Sequence, residues 1–107
     1  MKCRIIKSPS SGAVDILIKR SSPGNQPGPT EKIGAIGLIQ GLFIEMVCAA
    51  DIAEKAANVT AVDIRGNCPQ NMLLLALFGD TASVEAAIEE IRRNEQGVHN
   101  YGGSEIS

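Results

Sequence analysis

The sequence has no tryptophan, two phenylalanines and one tyrosine among 107 residues. Phe43, Phe78 and Tyr101 cannot fill a core by themselves, so Ile, Leu, Val, Ala and Met must build it. It also lacks a basic excess: 10 Lys and Arg stand against 12 Asp and Glu, a net charge of −2. A chain that neutralises a phosphate backbone carries surplus cations, so nucleic acid is not an expected partner. There is a single histidine, His99, with no acid or nucleophile near it in sequence. No nucleophile–base pair or carboxylate dyad assembles by spacing, which makes an enzyme the least supported class. The three cysteines, Cys3, Cys48 and Cys68, form no C-x-x-C pair. One chain therefore offers neither a zinc knuckle nor a thioredoxin-type motif. No run approaches the roughly 18 apolar residues of a membrane span, and the first residues lack a signal-type apolar stretch. The expectation is a soluble, intracellular, reduced protein with no membrane partner.

What is present is ordinary globular material, 44% hydrophobic and 21% charged, which excludes wholesale disorder. The length suits one domain, and a domain of this size buries roughly 60–70% of its unfolded surface. Oligomerisation is one way for so small a core to gain stability.

Residues 2–8 and 14–20 are short β-branched-rich runs separated by Pro9-Ser10-Ser11-Gly12, which reads as a hairpin or two linked strands. Residues 21–30 contain three prolines and two glycines, a composition that suits a linker and neither helix nor central strand. Ile33 to Gln40 is apolar on both faces and dotted with glycine, as in a buried strand approached closely by a helix. From Leu42 to Ala57, Phe43, Met46, Val47, Ala50, Ala53 and Ala57 recur at helical spacing, while Ile44, Cys48 and Ile52 interrupt the opposite side. A helix apolar nearly all round is covered on more than one side, and a neighbouring subunit can supply the second cover. Val59–Arg65 and Met72–Phe78 read as strands around a polar loop, and Asp80 as the N-cap of a helix presenting Val84, Ala87, Ile88 and Ile91 on one face. The Glu89–Arg93 spacing suits an i,i+4 pair. The expected division is 1–20 as N-terminal strands, 21–30 as linker, 31–95 as a βαββα core and 96–107 as a loose tail. The fold class is α+β, helices on a small mixed sheet.

The segment from Gly34 to Ile91 resembles the bacterial microcompartment (BMC) shell domain, a ferredoxin-like fold. The matching pieces are Gly34-Ala-Ile-Gly37, Ala49-Ala50-Asp51, Lys55-Ala56-Ala57-Asn58-Val59, Phe78-Gly79-Asp80 and Val84-Glu85-Ala86-Ala87. The resemblance implies a structural, non-enzymatic protein of a cytoplasmic bacterial organelle, whose cyclic hexamers tile a shell edge to edge with other shell proteins. In the ordinary domain a last strand follows the closing helix; here two strand-like runs come first instead. That pattern resembles the circularly permuted subclass, with Val14–Arg20 as the transplanted strand and Lys2–Lys7 as a candidate additional strand over the hexamer centre.

In this family the position of Gly66-Asn67-Cys68-Pro69-Gln70 lines the central pore. A Gly-x-Cys-Pro-x motif there is similar to the permuted, iron–sulfur-associated shell protein of glycyl-radical-type compartments. The resemblance thus implies Cys68 as a metal ligand, a [4Fe–4S] cluster shared between subunits, and encapsulated redox enzymes as further partners. One thiol per chain is too few, whereas six around an axis suffice; a cube with threefold axes on a sixfold pore then implies partial or disordered occupancy. Pro69 stiffens the loop and removes a competing donor, and Gly66 lets the backbone turn near the axis. The alternative is a metal-free pore in which Asn67 and Gln70 gate metabolites and Cys68 only shapes the opening. A third reading is a small oligomeric ligand-binding regulator.

Cys48 reads as a core thiol and Cys3 as incidental. Lys55 matches the edge lysine between neighbouring hexamers, against the simpler reading of a helix-end lysine facing the dipole; Arg92 or Arg93 are candidates to assist it. Gly34, Gly37 and Gly41 are spaced G-x-x-G-x-x-x-G, which is not the dinucleotide fingerprint.

Overall fold

In the computed structural model, which describes residues 1–21, 33–66 and 72–97, the long apolar runs become strands buried on both faces. The order is β1 (Lys2–Lys7), α1 (Ser11–Lys19), β2 (Ala35–Leu42), α2 (Phe43–Ala56), β3 (Thr60–Ile64), β4 (Met72–Gly79) and α3 (Thr81–Gly97). The sheet has four strands in the order β1-β2-β4-β3. Where a mixed sheet was expected, each pairing is antiparallel.

Alternation along β2 and β4 divides the core. Ala35, Ile39, Leu75 and Leu77 pack with Met46, Ala49, Ile52 and Ala53 of α2 and with Val84, Ala87, Ile88 and Ile91 of α3. Ile36, Ala76 and Phe78 point the other way and meet Val62, Ile64 and the α1 residues Val14 and Leu17. Two helices cover one face and one covers the other, so strands without polar alternation are satisfied. Gly37 is what lets α3 lie close: a Cβ there would stand 3.1 Å from Val84 Cγ1 and 3.2 Å from Ile88 Cδ1.

Two expectations about the N-terminus are corrected. Residues 14–20 are not a strand, because Ser11–Lys19 is helical. Ser10 caps it by accepting from the Ala13 N–H at 3.2 Å, and Asp15 and Lys19 pair across one turn at 3.0 Å. Val14, Leu17 and Ile18 fall at i, i+3 and i+4 on the sheet side, a helical period that overrides the β-branched composition. Lys2–Lys7, in turn, is no strand set apart over a centre; it is an integral edge strand, Ile5 opposite Gly37 and Lys7 opposite Ala35. Ser8, at φ 49°, turns the chain out of β1 and donates its N–H to the Gly34 carbonyl at 2.9 Å.

The remaining elements lie within one or two residues of their expected bounds. Most of the 21–30 linker and the residues after Gly97 lie outside the described residues. No helix of the described residues is long and apolar enough to cross a membrane.

Candidate functional site

The polar loop between β3 and β4 leaves the sheet where Ile64 faces Leu74 and returns where Met72 faces Leu42. Gly66, on its outgoing stem, is exposed, and a Cβ there would meet nothing within 4 Å. Asn67, Cys68, Pro69 and Gln70 lie outside the described residues.

The surroundings of that loop are unusual in their polarity. Leu42 is 48% exposed, Phe43 60%, Ile44 72% and Val47 54%. These residues join the end of β2 to the opening turns of α2, directly beside the returning stem. Met1 is also exposed and lies against the Gly41 position. The helical spacing groups Phe43 and Val47 with Met46 and Ala53, with Ile44 and Ile52 opposite; in the structure Met46, Ala49, Ile52 and Ala53 are buried together, and Phe43 and Val47 are exposed with Ile44. The α2 start is nonetheless well formed, since Glu45 reaches back to accept the Leu42 N–H at 2.9 Å. A capped helix that buries one apolar side and leaves Phe43, Ile44 and Val47 in water presents a contact surface.

The thiols divide differently from the expectation of a core Cys48 and an incidental Cys3: Cys48 is half-buried and belongs to neither apolar cluster. Cys3, also half-buried, is not paired with it and packs against the main apolar cluster. Among the described residues no three His, Cys, Asp or Glu side chains converge as a metal site. The donor set of one chain therefore fits an iron–sulfur cluster only if several copies each contribute Cys68.

Lys55 stands in the last turn of α2, its side chain 75% exposed and 3.0 Å from Asp51. It is remote in sequence from the loop and available on the surface. Arg92 is exposed on α3, while Arg93 pairs with Glu90 and, at 3.9 Å, with Glu89. His99 lies outside the described residues. A groove beside α1, lined by Pro9, Ser11, Val14, Asp15 and Ile33 among others, offers few convergent polar groups.

The BMC domain family model matches residues 35–102. The chain belongs to the BMC domain family. It is 54% identical to the GrpU microcompartment shell protein from Clostridiales bacterium 1_7_47FAA, solved ligand-free, over 92% of this chain and 94% of that one, with a TM-score of 0.67. The GrpU shell protein from Pectobacterium wasabiae is 31% identical over 85% of this chain and 99% of that one, TM-score 0.70. A fused permuted hexameric shell protein, MSM0275 from the RMM microcompartment, shares the fold at 21% identity, covering 86% of this chain and 43% of that one, TM-score 0.65. No curated protein matches the sequence. This BMC protein is a structural component of a bacterial microcompartment shell and not an enzyme. The matched span begins at β2, so β1 and α1 lie ahead of it.

Proposed function

We propose that this BMC protein forms a cyclic hexamer, with its 66–71 loops around a central pore where Cys68 residues of several subunits hold an iron–sulfur cluster. The observation that carries the ring is the apolar end of the sheet, where Phe43, Ile44 and Val47 are more than half exposed and Leu42 nearly so. Withdrawing each such side chain from water contributes about 1–2 kcal/mol, and the patch adjoins the loop stem, so covering it with a second subunit draws neighbouring loops together. The Gly-x-Cys-Pro-x motif supports the cluster, since thiolate donors suit iron–sulfur centres. A cluster held there would supply one-electron transfer across the shell, or be delivered inward, toward redox enzymes of a glycyl-radical-type compartment.

β1 and α1 support a circularly permuted arrangement: β1 takes the sheet edge beside β2 from the N-terminal side, ahead of the matched domain. Lys55, exposed at the far end of α2, is the proposed hexamer–hexamer contact.

The test is anaerobic purification with native mass spectrometry, iron and acid-labile sulfide assays, a visible spectrum and EPR after dithionite, beside Cys68→Ser. A hexamer with a broad band near ~400 nm and iron, both lost in Cys68→Ser while the hexamer survives, supports the reading. A hexamer that stays colourless and iron-free after reconstitution leaves the metal-free pore, with Asn67 and Gln70 gating metabolites. A stable monomer overturns the ring itself. The regulator reading gains nothing from the α1 groove, whose lining lacks a convergent polar set.

A further inference from the structure

The outgoing stem of the 66–71 loop is tied to a distant part of the chain. The Arg65 N–H donates to the Arg20 carbonyl at 2.8 Å, and Arg65 Nη2 donates to the Ser21 carbonyl at 3.1 Å, across 44 residues of sequence. Ser21 also bridges to Ile64, the last residue of β3. Ser21 is itself held: its Oγ donates to the Leu17 carbonyl at 2.8 Å and its N–H to the Ile18 carbonyl at 3.1 Å. At 2% exposure it is the one buried polar residue among those described, and Leu17 and Ile64 beside it are buried too. The C-terminal end of α1 therefore grips the outer edge of β3 where the chain departs for Cys68.

We infer that Arg65, clamped onto the α1 end at Arg20 and Ser21, is a positioning residue that fixes the stem of the Cys68 loop. The function of that loop rests on the reading proposed above, but the clamp does not require a cluster. Losing the side-chain bond from Arg65 to the Ser21 carbonyl is expected to let residues 64–66 open more often, and so to speed modification of the thiol that follows them in sequence.

The experiment uses the iron-free full chain in its assembled form, with Arg65→Ala and Arg65→Lys beside wild type. Cys68 alkylation by iodoacetamide is followed by site-resolved mass spectrometry, with amide hydrogen exchange at residues 64–66. Arg65→Ala is expected to raise both rates roughly tenfold, equivalent to about 1.4 kcal/mol, at the upper end for an ordinary hydrogen bond and just under the range for a charged one. Arg65→Lys, which keeps the charge and one donor in reach, is expected to fall between. Exchange in Val84–Ile91 stays at the wild-type rate, which separates a loosened stem from general unfolding. Slower alkylation, or unchanged exchange at 64–66, overturns the inference. Absence of iron from the reconstituted wild type would count against the cluster alone.

Discussion

The two ends of the sheet are finished in different ways. At the end holding Gly34 and Gly79, the chain satisfies itself: the Gly34 N–H donates to the Gly79 carbonyl at 3.0 Å, and the Gly34 carbonyl accepts from Ser8 N–H and Thr81 Oγ1. Asp80 caps α3 there, and Lys7 of β1 pairs with Glu85 of α3 at 3.0 Å. At the other end, Met1, Leu42, Phe43, Ile44 and Val47 stand in water. What differs is apolar surface, covered within the chain at one end and left over at the other. A shell tile needs such asymmetry, because a subunit that completed itself on all sides would have no reason to associate.

The largest effect is expected from placing a charge at the open end. Phe43→Asp sets a carboxylate in the first turn of α2, where the helix dipole tolerates it, so the subunit should still fold. Burying that charge unpaired against a neighbour costs about 3 kcal/mol or more, weakening association at least roughly hundredfold. Analytical ultracentrifugation should show the proposed ring replaced by folded monomer. An intact hexamer would mean that the apolar end is not the subunit contact.

A change between the two ends should not discriminate in this way. Gly37→Val drives side-chain atoms into Val84 and Ile88, each already near 3.2 Å from a Cβ at that position. Overpacking of this kind costs about 1–3 kcal/mol, and here it should lower the thermal midpoint and the assembled fraction together. Loss of assembly at wild-type stability would show that α3 contributes directly to the ring.

The contrast between the ends explains what the sequence could and could not show. β2, β3, β4 and α3 were legible because their apolar runs are bounded by glycine, Asp80 and polar loop residues that act locally. α1 was not, because the 14–19 run satisfies a strand's composition and a helix's spacing at once; the Ser10 cap decides it. The direction of α2 was also ambiguous. With Phe43, Ile44, Met46 and Val47 adjacent, no stripe stands out, and only packing against Leu75 and Leu77 tells which residues turn inward. The Cys68 loop was found by motif and resemblance, whereas its Arg65–Ser21 clamp joins residues 44 apart and leaves no periodic trace. At the N-terminus the sheet strand was misplaced by one element, since β1 and not the α1 segment fills the sheet edge.

A smaller effect belongs to the closed end. Lys7 and Glu85 are 63% and 47% exposed, and a pair so open to solvent contributes about 0–1 kcal/mol. Lys7→Ala should therefore lower the midpoint slightly at low salt and hardly at all at high salt, with the ring intact. A loss of assembly comparable to Phe43→Asp would overturn the division between a self-completing end and an associating one.

The smallest effect sharpens the same division by pH. Asp80 accepts the Ser83 N–H at 2.8 Å and the Ser83 hydroxyl at 3.1 Å. Those bonds, the backbone one foremost, favour the carboxylate and hold its pKa below the ordinary 3.8. A carboxyl with a folded pKa below its unfolded one stabilises the fold above the unfolded value and loses that contribution as pH falls through the folded value. Asp80→Asn keeps an accepting oxygen at the cap but removes the charge. The wild type should thus be slightly the more stable at pH 7, and the gap in thermal midpoints should narrow as the pH falls below 3.8 and close once it passes the lower folded value. Because Asp80 lies at the closed end, the hexamer fraction at pH 7 should be the same for both proteins; a difference there would mean that the α3 cap also borders a neighbouring subunit.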